Sequence, residues 1–476
     1  MASATRITGD IDAVTRLGGE TVVPKAALKD FQKSLRGPLL MPGSDNYEVA
    51  RRVWNGMIDR HPALIARCSG AVDVMRSVDF ARDHDLLVAV RGGGHSISGK
   101  SVCEGGLVID LSAMRGCRVD PETKTARLVG GSLLGDLDHE TQAFGLATTS
   151  GTVSHTGAAG LTLGGGHGRL CRGFGLTCDN VLAVDIVTAD GKLRRASADE
   201  NSDLYWGVRG GGGNFGVVTS FDYQLHRLGP TVYGGSLMYP LAQARDILRF
   251  YAEFSQALPN ELAVDVIILS PAGGKSFLIL SICYTGDFAE GEKLLAPLRT
   301  FLKPMADQVG PVNYNKLQTG ADSSTPPGKP YYNKSGLMTE LSDDVIDTIV
   351  DRMESAPGQA DPTVTSNVII QQLGGAVGEV AADATAYVHR DAKYDFVILS
   401  GWDDPTFEKQ NIAWLKEAYV EIEPHTIGFY SNHMVDSDEP RVQRAFRSNY
   451  DRLVQLKNKY DPDNLFHLNA NVKPTV

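Results

Sequence analysis

Three glycine-rich segments constrain this chain more than any other feature. The first is Arg91-Gly-Gly-Gly-His-Ser-Ile-Ser-Gly. The second runs from Ser150 to Gly168 with seven glycines in nineteen residues, and the third is Arg209-Gly-Gly-Gly-Gly-Asn-Phe-Gly. Glycine reaches backbone conformations that a Cβ resists, at a cost in chain entropy. Such density suits a place where backbone turns sharply or presses against a flat or charged ligand. Glycine totals 51 of 476 residues, about 11% against a usual ~7%, and it concentrates between residues 91 and 216.

Leu87-Val-Ala-Val reads as a short buried strand that runs into the first segment. Consecutive N–H groups in such a turn can converge on an anion, and a diphosphate fits that description. His95 sits inside the loop, where a side chain reaches past the backbone toward a ligand. Alone, Gly-Gly-Gly-His is equally a tight turn with an incidental histidine; the other two segments argue against that reading. Gly211-x-Gly213-x-x-Gly216 matches the dinucleotide fingerprint as a pattern, but that fingerprint follows a strand and opens a helix. Here the helix-like Asp203-Leu-Tyr-Trp-Gly-Val precedes it and the β-type Val217-Val-Thr-Ser-Phe follows. A nicotinamide-dependent Rossmann dehydrogenase is therefore disfavoured, and the P-loop pattern is absent.

The remaining composition excludes several classes. Hydrophobic residues at 42% and charged residues at 22% describe a globular protein. A net charge of −11 without a basic stripe argues against nucleic acid. No stretch approaches the ~18 apolar residues that span a bilayer, and Met1–Ile7 carries no signal-type apolar run. The expectation is a cytoplasmic protein with no membrane partner. Cys68, Cys103, Cys117, Cys171, Cys178 and Cys283 are scattered, so no metal site is expected.

Four stretches follow along the chain. Residues 1–60 form a lead-in with one or two helices, including one that starts at Asp45. Residues 61–230 alternate short strands (Ala63–Ala66, Leu107–Leu111, Thr125–Val129, Leu182–Thr188, Val217–Leu225) with helices such as Ala71–Asp83. Residues 231–425 carry longer strands at Ala263–Leu269, Phe277–Tyr284, Asn367–Gln372 and Tyr394–Trp402. Helical segments at Ala289–Leu302 and Ser342–Glu354 separate them, which predicts an antiparallel sheet with helices on one face. Residues 426–476 contain a helix over Phe446–Tyr460, stopped by Asp461-Pro-Asp-Asn.

Taken in order, several segments resemble the FAD-binding domain of the vanillyl-alcohol oxidase / p-cresol methylhydroxylase superfamily. They are Arg91-Gly-Gly-Gly-His-Ser, Gly160-Leu-Thr-Leu-Gly-Gly-Gly-His-Gly, Gly175-Leu-Thr-Cys-Asp-Asn-Val, Asp203 through Thr219, and Asn449-Tyr-Asp-Arg-Leu through Asn469-Ala-Asn-Val-Lys-Pro. Within the superfamily the chain is similar to the berberine bridge enzyme-like oxidases and 6-hydroxy-D-nicotine oxidase. The resemblance implies an α+β fold of two lobes. One is a PCMH-type FAD-binding domain (61–230, completed by 426–476). The other is a substrate domain (231–425) that lays its antiparallel sheet over the flavin ring.

The resemblance also implies which residues hold FAD. His95 would carry the 8α-histidyl bond, which raises the flavin potential and prevents its loss. Further contacts would come from Arg91, Gly92, Gly93, Gly94, Ser96 and Ile97; from Gly151, Thr152, Val153, Thr156, Gly157, Gly160, Leu161, Gly164, Gly165, His167 and Gly168; and from Val187, Asn469 and Asn471. Some relatives add a cysteine bond to flavin C6. Aligned on Gly157 and Gly160, that position is Val153, so one covalent bond is expected. By the same resemblance Thr156 would border the flavin face where oxygen reacts, and its valine-like volume would favour an oxidase.

A flavin oxidase moves hydride from a C–H bond to flavin N5 and needs a base for the adjacent O–H or N–H. The resemblance points to tyrosine, with Tyr450 the best motif match and Tyr430 and Tyr387 as further candidates. Gln372 or its neighbour Gln371 would orient the substrate, since alternation turns only one of them inward. His155 and His167 would line the pocket. The expected partners are a small alcohol, sugar or amine and O2, with hydrogen peroxide as product. A dehydrogenase using another acceptor and a non-catalytic flavin-binding protein are the alternatives.

Overall fold

The computed structural model describes residues 7–436 and 438–476, so the first six residues of the lead-in lie outside it. The first lobe contains two main sheets. In the smaller, strands Leu39–Leu40, Leu64–Arg67, Leu107–Asp110 and Val88–Arg91 lie side by side. The last three run parallel, as a crossover helix requires. That helix is Ala71–Asp83, and it buries Val74, Val78 and Ala81 at helical spacing. These side chains meet Val187 and Val217 from the second, antiparallel sheet, ordered Leu193–Ser197, Val181–Val187, Val217–Gln224, Thr125–Val129, Cys117–Asp120.

The second lobe is built on an antiparallel sheet. Across it run Ala306–Asp307, Thr231–Pro240, Phe277–Tyr284, Leu262–Ser270, Val364–Gln372, Tyr394–Trp402 and Tyr331–Met338, and Gly310–Asn313 also pairs with Thr231–Pro240. Strand Leu262–Ser270 shows the division of faces. Val264, Val266 and Ile268 are sealed against helices such as Ala244–Phe254 and Asp343–Glu354, while Ile267 is half-buried on the other side. Each sealed aliphatic side chain contributes about 1.5–3 kcal/mol, which fixes the register and therefore which residues face the first lobe. The expected α+β architecture with two lobes is what the chain adopts.

Two strands here escape the sequence pattern. Thr231–Pro240 contains Gly234 and Gly235; a Cβ on Gly234 would come within 2.6 Å of the Ile282 carbonyl. Tyr331–Met338 is interrupted by the polar run Asn333-Lys334-Ser335. The lead-in also differs. Besides helices at Lys25–Ser34 and Tyr47–Arg51, it forms a hairpin of Ile11–Val14 with Glu20–Val23. The helix expected from Asp45 through Asn55 ends at Arg51, and extended backbone at Arg52 lets Trp54 and Asn55 cross to the second lobe.

The C-terminal stretch joins both lobes. Ile427 and Gly428 hydrogen-bond to Leu337 of the large sheet. The helix expected from Phe446 instead breaks at Arg447, whose φ is +41°, and resumes over Tyr450–Tyr460. Lys457 is fully buried there. Its ammonium pairs with Asp461 at 2.7 Å and donates to the carbonyls of Asn214 (2.9 Å) and Phe466 (2.8 Å). A buried ion pair persists only when its remaining donors are satisfied, and here they tie the C-terminus to the third glycine loop. Among the described residues no helix is long and apolar enough to cross a membrane.

Candidate active site

Strand Val88–Arg91 delivers the first glycine loop to the interface between the lobes. Gly94 takes φ +68°, and Gly93 passes so near Gly157 that a Cβ would lie 2.5 Å from its backbone. The first and second glycine segments therefore lie in direct backbone contact. Among the described residues, no backbone N–H from Gly93 to Ile97 finds an acceptor in the protein. Five consecutive free donors suit an anion such as a diphosphate.

His95 rises from this loop against Trp54, with ring centroids 4.4 Å apart, and Trp54 stacks in turn on Tyr331 at 4.2 Å. His95 Nε2 lies 3.1 Å from His155 Nδ1. Burial, with a smaller contribution from His155, pushes the His95 imidazole down to about 3. It is neutral near pH 7 and carries a nucleophilic lone pair. Asn55 braces the loop by donating to Ile97 O (2.7 Å) and Tyr331 O (2.9 Å). Trp54 and Asn55 carry no mark in the lead-in's pattern of acting on a loop some forty positions later, and Tyr331 carries none in the second lobe, because only the tertiary fold brings the three together.

The second glycine run answers contacts within the protein as much as any ligand, which revises the reading of its density. A Cβ on Gly164 would strike the Asn432 side chain at 2.3 Å, one on Gly165 the Tyr387 ring at 2.7 Å, and one on Gly168 the Ser150 carbonyl at 1.7 Å. Gly151 is enclosed by Leu134 and Leu161, and in this run only Gly160 has open space. The loop from Gly151 through Thr152, Val153 and Thr156 is held from the second lobe, where Gln318 donates to Gly151 O (2.9 Å) and Asp322 accepts from Ser154 N (2.8 Å). Val187 is enclosed in the first lobe's core, so only its backbone borders the third glycine loop. Asn469 donates to Gly213 O at 3.1 Å, and the Oδ1 atoms of Asn469 and Asn471 are buried without a donor.

At the other end of the run lies a buried polar array. His167 Nδ1 is 2.8 Å from Asp395 Oδ2, and His167 Nε2 is 3.0 Å from the Tyr387 hydroxyl. Burial would raise the Asp395 carboxyl, but the neighbouring His433 and the His167 hydrogen bond hold it well below the usual range. Burial lowers His167, so a neutral imidazole faces an ionised carboxylate. Its Nδ1–H then points to Asp395, and Nε2 is left to accept the Tyr387 proton. This is the logic by which an acid orients a histidine that activates a hydroxyl. His433 Nδ1 lies 3.2 Å from the same Asp395 oxygen without the alignment of a hydrogen bond.

Tyr430 stacks on His167 at 3.8 Å, and its hydroxyl accepts from Gly166 N (3.0 Å) and Asn432 Nδ2 (2.8 Å). Burial pushes both phenols up, Tyr387 well above its usual value. Arg390, paired with Asp179 through two bonds of 2.7 Å, sits over the Tyr387 ring at 5.2 Å and fixes its position.

Two expected site residues lie elsewhere. Tyr450 starts the C-terminal helix, half-buried on its outer side near Glu439 and Gln443, because that helix turns Leu453 and Leu456 inward instead. Gln372 points into the helix-covered face. Its Oε1 accepts from Val264 N (2.9 Å) and its Nε2 donates to Ser255 O (3.2 Å). Strand alternation turns Gln371 to the first lobe, beside Asp395. Asp395 itself was readable as a carboxylate within an otherwise apolar strand, Tyr394-Asp-Phe-Val-Ile-Leu.

The chain matches a family model described as an FAD binding domain over residues 62–197 and one described as berberine and berberine like over residues 429–473. It is 34% identical to an FAD-linked oxidoreductase of Dictyostelium discoideum, over 94% of this chain and 97% of that protein. It is 28% identical to (R)-6-hydroxynicotine oxidase of Paenarthrobacter nicotinovorans, covering 93% and 97% of the two chains. Among solved structures, 6-hydroxy-D-nicotine oxidase from Arthrobacter nicotinovorans superposes with a TM-score of 0.85 at 26% identity, covering 92% of this chain and 98% of that one. The chain is an FAD-dependent oxidoreductase and belongs to the berberine bridge enzyme-like family.

Proposed function

We propose that this protein is an oxidase of a small alcohol, sugar or amine that holds FAD through a single bond to His95 and returns the electrons to O2 as hydrogen peroxide. The observation that carries the reading is the Tyr387–His167–Asp395 array, buried beside the glycine run at the interface of the lobes. A protein that merely stores flavin has no need of a proton relay. The donor set fits the cofactor: free N–H groups at Gly93–Ile97 suit its diphosphate, and the orphan acceptors of Asn469 and Asn471 suit ring N–H groups. Gly92, Ser96, Thr152 and Gly168 belong to the glycine loops, and Leu161 to the short helix Ala158–Leu163 between them.

Bound FAD would supply hydride acceptance from the substrate C–H and return of the electrons to oxygen. The chain's own residues manage the proton. Tyr387 receives it from the substrate O–H or N–H as its own proton passes to His167 Nε2, and Asp395 stabilises the imidazolium that results. Gln371 holds the same substrate group from the sheet. His95, neutral and stacked on Trp54, is poised as the nitrogen that bonds the flavin. Val153, where some relatives have cysteine, leaves no second attachment, and Thr156 leaves the oxygen side open.

The test is a panel of alcohols, sugars and amines, read anaerobically by bleaching of the flavin and aerobically by peroxide. Bleaching followed by prompt peroxide formation is the expected result. Bleaching with slow reoxidation in air would mean a dehydrogenase. Failure of the whole panel to bleach would mean that the flavin does not turn over.

A further inference from the structure

Register and alternation sort the first-lobe side of the large sheet into rows. One row is polar. Gln371 pairs with Asp395, Asp265 follows one step beyond the Val266–Ile370 pair, and Ser281 pairs with both Asp265 and Ser236. Two residues along each strand lies an aliphatic row, made of Val397, Ile369, Ile267, Ile279 and Met238. All but Val397 are only half-buried, whereas Val266, Leu280 and Ile370 on the helix side are sealed. At ~4.8 Å between strands the aliphatic row extends roughly 19 Å.

Two residues of the second glycine segment and its exit reach onto the polar row. His167 binds Asp395 at one end. Arg169, two positions later, donates from Nη1 to Ser281 Oγ at 2.7 Å, three strands away. Arg169 makes no ion pair among the described residues, and its Nε is enclosed without an acceptor. The Asp265 carboxyl feels its charge from beyond ion-pair distance and accepts from Gln372 N at 2.9 Å. An enclosed guanidinium N–H without an acceptor is costly, and the planar fork of Arg169, which no carboxylate meets at ion-pair distance, matches a carboxylate.

We infer that Arg169 reads an acid group on the substrate. The site then takes an elongated, mostly apolar alcohol or amine that reacts at the Tyr387–His167 end and carries a carboxylate roughly 14 Å away at Arg169. This rests on the oxidase reading for the reacting end only. A sugar would set many hydroxyls against aliphatic side chains that offer them nothing.

The experiment titrates the flavin-loaded protein with biphenyl-4-carboxylate and biphenyl-4-carboxamide, read by the flavin absorbance shift. The carboxylate should bind about tenfold to a hundredfold more tightly, as a charge-assisted pair does, and Arg169→Met should abolish the preference. Equal affinity for the two in the unmodified protein would overturn the inference, and this comparison stands even if the variant fails to fold. Equal affinity together with rescue of Arg169→Met stability by Asp265→Asn would assign Arg169 to Asp265 alone. The titration needs no turnover, so it stays separate from failure of the oxidase reading. Reduction by sugars and not by 4′-(hydroxymethyl)biphenyl-4-carboxylate would overturn this inference and leave the oxidase standing.

Discussion

Replacing Asp395 by Asn tests the buried array most directly. The carboxylate accepts from His167 Nδ1 at 2.8 Å, both side chains being buried, and faces the partly exposed His433 at 3.2 Å. An amide keeps the shape but removes the charge and places an NH2 on one side. A hydrogen bond to a buried charge contributes about 1.5–3 kcal/mol and a neutral one about 1. Losing the charge toward His167 should cost about 0.5–2 kcal/mol of stability, with little added by the partly exposed, unaligned His433. The catalytic loss should be larger. Without the carboxylate the imidazole is free to carry its proton on Nε2, where it can no longer accept from Tyr387. Misorienting a general base in this way costs about 10²–10⁴ in rate. The assay is anaerobic stopped-flow flavin reduction with the best substrate of the panel, alongside thermal unfolding. Flavin reduction within threefold of the unmodified enzyme would refute the relay.

The same residue sets a pH dependence. Asp395 is depressed in the folded state, so the unfolded chain binds its proton first as pH falls. Its stabilising contribution is complete above the unfolded pKa near 4 and declines as pH drops through that value toward the depressed folded one. Asp395→Asn should flatten the stability curve in that acid window, and unchanged acid sensitivity would show that the carboxylate is not held ionised.

Other substitutions separate the candidates. Tyr387→Phe should slow flavin reduction by about 10²–10⁴, while Tyr450→Phe should stay within twofold; the reverse order would move the base to the C-terminal helix. Gln372→Leu should destabilise the fold by about 1–3 kcal/mol by orphaning Val264 N–H and Ser255 C=O, whereas Gln371→Leu should leave the melting temperature unchanged and raise KM. Acid-precipitated protein should stay yellow and His95→Ala should release its flavin; colour in the supernatant of the unmodified protein would exclude the covalent bond.

The sequence by itself determined where backbone must turn sharply, which segments alternate and which repeat at helical spacing. Ala71–Asp83, Thr125–Val129, Phe277–Tyr284 and Tyr394–Trp402 are local outcomes of apolar periodicity and turn residues, so their bounds were legible. The ordered glycine segments and His95 were legible for the same reason, since a Cβ is excluded by the backbone itself. Tertiary structure alone decided the partners. Trp54 meets His95 across forty residues, Asp395 meets His167 across 228, and the glycines of the second run turn out to accommodate Tyr387 and Asn432 from the chain's other half. Which of Gln371 and Gln372 faces the site was also beyond the sequence. Both fit the strand, and only the burial of Val264, Val266 and Ile370 beneath the helices fixed the side on which the register came to rest.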